Sequence, residues 1–174
     1  NFAAIREVIA GDYRLQTYHS DTEVILNAYL EWGIDCVLRF NGMFAIGLYD
    51  PIKKVFFLVR DRIGKKPLHY FEHQGTLAFC SEIHALLAAK VIPKEINEEA
   101  IFHYLTLLTT PAPATFFKGV SKLEAGHYLK ITSEGIEKKQ YWNIADYLND
   151  PQSISFEKAV EETESLLESA ENLR

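Results

Sequence analysis

The chain has 174 residues, of which 48% are hydrophobic and 24% charged, the proportions of an ordinary globular protein. Aromatic residues make up 13%, enough to exclude disorder over most of the chain. The longest apolar run, residues 43–49, is far shorter than the ~20 residues that cross a bilayer. The net charge is −6, with six glutamates in residues 155–174, and no basic stripe indicates a nucleic-acid partner.

The first predicted elements are two helices with a short strand between them. Apolar residues recur at helical spacing over 2–9, and residues 13–17 alternate like a strand. Ser20 and Glu23 then have the spacing of a capping box, in which the serine accepts from the backbone of Glu23 and the glutamate carboxylate reaches back. The helix that follows is predicted to end at Trp32.

Two β-hairpins come next. Residues 43–49 are almost continuously apolar, which predicts a strand covered on both faces, and residues 55–59 return beside it. A second hairpin joins residues 67–71 to residues 76–80. Hairpins that follow one another between helices indicate an α+β fold rather than a doubly wound sheet.

The second half of the chain mixes helices and strands. Helices are predicted at 82–89 and, capped by Asn97, at 98–107, and strands at 127–132 and 136–141.

The last part of the chain separates from these elements. Residues 143–152 are polar and rich in turn formers, which predicts a linker, and an apolar stripe over 156–173 predicts a long amphipathic helix. Because the chain starts at Asn1 and stops inside this helix, we expect it to be an internal piece of a longer protein.

Few residues carry a functional signal by themselves. The six histidines include no pair at zinc-helix spacing, and Cys36 and Cys80 fit no metal or disulfide pattern. The charged stretch at 60–68 suits a tight turn held by an arginine–aspartate pair. Asp21 suits a structural carboxylate that the helix dipole favours.

Six segments in order nevertheless resemble glutamine-hydrolysing asparagine synthetases, specifically their class II glutamine amidotransferase half. The resemblance covers essentially the whole chain, and the sequence departs from the usual pattern at Lys65, His69 (commonly tyrosine) and Ala125. The segments are DTEVIL at 21–26, NGMFA at 41–45, RDRIGKKPLHY at 60–70, SEIHALL at 81–87, LEAGH at 123–127 and YW at 141–142.

The resemblance implies an incomplete four-layer αββα sandwich of the N-terminal nucleophile hydrolase type. On this basis residues 1–142 are the C-terminal part of the amidotransferase domain, residues 143–152 a linker, and residues 153–174 the first helix of an α/β, ATP-dependent synthetase domain.

The resemblance also implies a reaction. An N-terminal cysteine attacks glutamine with its own amine as base, and the released ammonia converts an aspartate activated by ATP and Mg²⁺ to asparagine. That cysteine is expected upstream of this chain, so the chain alone is expected to be inactive, with no catalytic residue, metal or cofactor of its own. Asp21 matches the aspartate that binds the glutamine α-ammonium. Met43 either lines the ammonia channel or packs in the core.

Two other functions stay open at this stage. One is another class II amidotransferase that forms a glucosamine phosphate or phosphoribosylamine, and the other is a non-catalytic homologue that acts as a binding module. The acceptor is not fixed, since related synthetases that close β-lactam rings or modify peptides share the layout. A cytoplasmic location and a homodimer are expected from the family alone, with neither nucleic acid nor membrane as a partner.

Overall fold

The computed structural model describes residues 2–9, 17, 20–148 and 153–172. The chain divides into two compact units, one made of Asn1–Asn41 with Asn143–Arg174 and the other of Gly42–Trp142. Within the described ranges, no helix is long and apolar enough to cross a membrane. The strand predicted at 13–17 lies outside the described residues except for Thr17.

The first unit is helical where it is described. Its α-helices α1 and α2 contact each other, and both were predicted from the sequence. Gly33 ends α2 with a φ of +60°, a conformation that favours glycine. The helical elements are α1 (Phe2–Ile9), α2 (Asp21–Trp32), a 3₁₀ helix (Gly33–Arg39), a second 3₁₀ helix (Ile144–Tyr147) and a long C-terminal helix (Phe156–Asn172).

The second unit holds two antiparallel sheets. The strands are β1 (Ala45–Asp50), β2 (Val55–Arg60), β3 (His69–His73), β4 (Thr76–Cys80), β5 (Val120–Lys122), β6 (His127–Thr132) and β7 (Gly135–Gln140). The strand order across the larger sheet is β1-β2-β6-β7, and the order across the smaller sheet is β4-β3-β5.

Two further helices belong to this unit: α3 (Ile83–Ala88) and α4 (Glu98–Leu107). The side chain of Asn97 accepts from the backbone N–H of Ala100 at 3.3 Å, which confirms the predicted cap of α4. The C-terminal helix of the first unit is α5 in chain order.

The two sheets pack face to face. Leu58 and Leu129 of the larger sheet form one buried cluster with Leu68 and Leu123, which flank strands of the smaller sheet. On the other face of the smaller sheet, a second cluster brings strand residues together with Leu86 of α3. Helix α3, the smaller sheet and the larger sheet are therefore three successive layers.

The expectation that β1 is covered on both faces is wrong. Among the described strands β1 pairs only with β2, so it lies at a sheet edge, and Leu48 is its one buried residue. Strand β2 lies inside the sheet, and four of its six residues are buried. Met43, just before β1, is 53% exposed, and its role as a channel or a core residue stays a prediction.

Candidate functional site

The start of α2 is fixed by a cap. Ser20 has extended backbone angles, and its Oγ accepts from the backbone N–H of Glu23 at 3.3 Å, as the sequence predicted. Asp21 follows as the first residue of the helix and is exposed. Of the residues that the structure describes, none donates a hydrogen bond to the Asp21 carboxylate.

The second half of the predicted capping box is wrong. The Glu23 carboxylate does not bond to the backbone of Ser20. Instead, Oε2 accepts from Thr17 twice, from the backbone N–H at 3.0 Å and from the hydroxyl at 2.7 Å. The guanidinium of Arg6, in α1, donates to the carbonyl of Thr17. The threonine hydroxyl is a second donor that a capping-box pattern does not anticipate, so sequence reasoning missed this contact.

The two carboxylates on the first turn of α2 therefore differ in what they can bind. Glu23 already accepts two hydrogen bonds, whereas Asp21 is exposed and accepts none from the described residues. A carboxylate in this state can accept charge-assisted hydrogen bonds from a cationic ligand such as an ammonium group.

In the second unit, Arg60 binds backbone carbonyls. Its Nε donates to Lys66 O at 2.8 Å, Nη2 to Gly64 O at 2.7 Å and Nη1 to Leu123 O at 2.5 Å. Burial lowers the pKa of this guanidinium below its ordinary value. The charge of Asp61 acts in the opposite direction, although the described hydrogen bonds of this guanidinium all go to backbone carbonyls.

Asp61 is fully buried, and both of its carboxylate oxygens are used. They accept from the backbone N–H groups of Lys65 and Lys66, each at 2.9 Å. Its own N–H donates to Phe44 O at 3.0 Å, and its carbonyl accepts from Gly126 N at 3.0 Å. This aspartate organises the loop of residues 60–68, and its complete burial keeps it from reaching a ligand in solvent.

Gly126 links that loop to the end of β7. Its carbonyl accepts from Tyr141 N at 2.8 Å and Trp142 N at 3.2 Å, and the Tyr141 hydroxyl donates to Arg60 O at 2.8 Å. Burial raises the pKa of the Tyr141 hydroxyl above its ordinary value. Three of the segments that carry the family resemblance thus meet in one structural network, which sequence spacing alone does not reveal.

His69 and Lys122 lie side by side on β3 and β5. The His69 ring bonds through Nδ1 to Ser81 O at 3.1 Å, and burial lowers its pKa, with the charges of Lys122 and Arg60 acting in the same direction. The Lys122 ammonium donates to the hydroxyl of Thr110 at 2.8 Å. These groups stabilise the smaller sheet through backbone and hydroxyl partners.

The cysteines have no features of an activated nucleophile. Cys36 is buried, and burial raises the pKa of its thiol to about 12, far above that of a reactive cysteine. Burial also raises the pKa of Cys80. Within the described ranges, no group of three or more histidine, cysteine, aspartate or glutamate side chains could hold a metal ion.

Comparisons with known proteins agree on one class. A family model described as a glutamine amidotransferase domain matches residues 1–142. Asparagine synthetase [glutamine-hydrolyzing] 3 of Bacillus subtilis is 34% identical over 152 residues, which are 87% of this chain and 24% of that protein. Asparagine synthetase [glutamine-hydrolyzing] 2 of the same organism is 39% identical over 136 residues, 74% of this chain and 18% of that protein. The chain therefore spans only a small part of the curated relatives it matches.

Solved structures confirm the fold. The glutamine phosphoribosylpyrophosphate amidotransferase of B. subtilis aligns with a TM-score of 0.56 at 15% identity, covering 80% of this chain and 26% of that one. The predicted α+β sandwich is thus confirmed at the level of fold.

Proposed function

Because the chain belongs to the glutamine amidotransferase domain family, we propose that it is part of the glutaminase domain of a glutamine-hydrolysing asparagine synthetase. In that enzyme glutamine is hydrolysed to glutamate and ammonia, and the ammonia converts an ATP-activated aspartate to asparagine. The observation that supports this most directly is 34–39% identity to two such synthetases over most of this chain. A cytoplasmic, homodimeric enzyme is proposed from the family resemblance alone.

We assign the described part of this chain to substrate recognition. Its two cysteines have no nucleophilic character, because burial raises both thiol pKa values. ATP and Mg²⁺ are proposed for the complete synthetase from the family resemblance, and no step is assigned to them in this part of the chain.

Asp21 is the residue we propose for binding the glutamine α-ammonium. An ammonium that enters a closed pocket loses its hydration, and a carboxylate replaces it with a charge-assisted hydrogen bond. The helix N-terminus repels a cation, so a neutral side chain at this position would leave the ammonium in an unfavourable field. The Asp21 carboxylate accepts no hydrogen bond from the described residues, so it is available to such a ligand.

The test is Asp21→Asn in the complete gene product, with activity measured from glutamine and from free ammonia. Removing one partner of a desolvated charge pair typically costs about 2–5 kcal/mol. Glutamine-dependent synthesis should therefore fall roughly 30-fold or more, at ~1.4 kcal/mol per tenfold. Synthesis from ammonia bypasses this pocket and should hardly change. Asp35→Asn, which removes an exposed carboxylate from the same unit, is the control.

If both activities fall together with a lower unfolding temperature, Asp21 is a structural residue and the assignment is wrong. The acceptor is tested with the same preparation. ATP-dependent formation of asparagine supports the proposal, whereas transfer of ammonia to a sugar phosphate would favour another class II amidotransferase.

We further propose that Met43 lines the path of ammonia. It is 53% exposed and lies two residues before the start of β1, where an apolar side chain is available to line a path. Met43→Leu in the complete gene product should lower the ratio of asparagine formed to glutamine hydrolysed, because ammonia escapes. Ile52→Leu, at a 92% exposed position in the β1–β2 turn, is the control. An unchanged ratio in both variants would contradict the channel.

A further inference from the structure

The segment before α2 is closed into a loop by one side chain. Glu23 Oε2 accepts from the Thr17 backbone N–H at 3.0 Å and from the Thr17 hydroxyl at 2.7 Å. Residues 17 and 23 are thereby joined across six positions, and Asp21 lies inside the loop. Both bonds are charge-assisted, because their acceptor is a carboxylate.

Glu23 is also held through its backbone. Its N–H donates to Ser20 Oγ at 3.3 Å, and its carbonyl accepts from the side-chain amide of Asn27 at 3.0 Å. Backbone and side chain of this residue therefore make separate connections, one to the cap of α2, one to the helix and one to Thr17. Glu23 therefore connects the first turn of α2 with the segment before it.

Thr17 is anchored from a second element as well. The guanidinium of Arg6 donates to its carbonyl, so that the N–H, the hydroxyl and the carbonyl of Thr17 all have partners. Arg6 belongs to α1, which contacts α2. Thr17 is thus tied to both α1 and α2.

Asp21 itself has no comparable anchor. It is exposed, and none of the described residues donates to its carboxylate. Within the described residues, the position of this side chain therefore depends on the backbone that carries it. Misplacement of a binding group by about 1 Å can lower activity as much as ~100-fold.

We propose that Glu23 and Thr17 are positioning residues for the Asp21 carboxylate, acting through the closed loop rather than by touching glutamine. The inference deepens the proposed glutamine site and rests on it. Glu23 Oε2 is engaged by Thr17, which assigns this side chain a positioning role in the proposal.

The test uses Thr17→Val, Thr17→Ser and Glu23→Gln in the complete gene product, beside Asp21→Asn. Thr17→Val keeps the shape and the backbone bond but deletes the hydroxyl donor, and Thr17→Ser restores that donor. The control is Thr106→Val in α4, which also deletes an exposed hydroxyl with one bond, to Phe102 O at 3.1 Å. The readouts are KM for glutamine, kcat, synthesis from ammonia and the unfolding temperature.

We expect Thr17→Val and Glu23→Gln to raise KM for glutamine about tenfold, between no effect and the ~100-fold cost of a 1 Å displacement. Synthesis from ammonia should be unchanged, and Thr17→Ser and Thr106→Val should behave like the unmodified protein. Equal KM values in all these variants would overturn the inference. A joint fall of both activities with the unfolding temperature would overturn it too, by showing a structural role only.

The same experiment separates this inference from the site on which it rests. If Asp21→Asn leaves the glutamine reaction unchanged, the proposed glutamine site is wrong. If Asp21→Asn lowers the glutamine-dependent activity but Thr17→Val and Glu23→Gln leave KM for glutamine unchanged, only the positioning role is wrong. Should Glu23→Gln fail to fold, Thr17→Val decides, because Thr17 is exposed.

Discussion

Two aspartates show how differently the same side chain is used in the two units. Asp61 is fully buried, and both carboxylate oxygens accept backbone N–H groups within its own loop. Asp21 is exposed, lies inside a loop closed by other residues, and accepts no hydrogen bond from the described part of the chain. A satisfied carboxylate stabilises the fold, whereas an unsatisfied one on a fixed backbone is available to a ligand.

The largest effect that tests this contrast is on stability. Asp61→Ala deletes the charge-assisted hydrogen bonds from the backbone N–H groups of Lys65 and Lys66, at about 1.5–3 kcal/mol for each, so we expect a loss of roughly 3–6 kcal/mol. Asp21→Ala should change stability by no more than ~0.5 kcal/mol, as exposed substitutions usually do. The measurement is thermal unfolding together with hydrogen exchange of the two lysine amides. Equal losses of unfolding temperature in Asp61→Ala and Asp21→Ala would contradict the contrast between the two aspartates.

A smaller effect is expected at Gly126, which ties the 60–68 loop to Trp142. Its φ is +67°, and a Cβ there would lie 2.3 Å from the Trp142 carbonyl oxygen. Gly126→Ala should therefore lower the free energy of unfolding by more than the ~1–2 kcal/mol that left-handed strain alone costs, because the Trp142 carbonyl must also move. Gly75→Ala is the matched control, since its φ is +76° but a Cβ there meets nothing within 4 Å. Equal unfolding temperatures for the two variants would contradict the close approach.

Local patterns predicted most elements of this fold. Helical periodicity and caps found α2 and α4, and the Gln74–Gly75 turn, with φ angles of +48° and +76°, placed the β3–β4 hairpin correctly. Strand β5 was missed because it has three residues, too few for a period to show. The prediction that β1 is covered on both faces was wrong, because burial depends on where a strand lies in the sheet, and an apolar run does not encode that position.

The site was predictable only in part. The resemblance indicated Asp21, and its role stays a prediction. The Thr17–Glu23 bond and the carbonyl partners of Arg60 could not be predicted, because they join positions whose approach depends on loop geometry or on distant strands. A charged motif between two strands shows that polar groups are close but not which of them bind each other. Arg60 and Asp61 are neighbours, yet each binds backbone instead.

The smallest expected effect extends the contrast to a histidine that, like Asp61, uses a backbone partner. His69 bonds to Ser81 O, and burial together with the charges of Lys122 and Arg60 lowers its pKa below the ordinary value of about 6.5. The unfolded chain therefore binds a proton at a higher pH than the folded protein does. The stability that depends on His69 is fully present above about pH 6.5 and declines as the pH falls toward the lower pKa of the folded state.

His69→Tyr, which introduces the residue common in the family, should flatten this decline in unfolding temperature between pH 7 and pH 5. His73→Tyr, at an exposed position of the same strand, should leave the decline in place. If His69→Tyr keeps the full pH dependence, the decline arises elsewhere, and the cations beside His69 do not oppose its protonation.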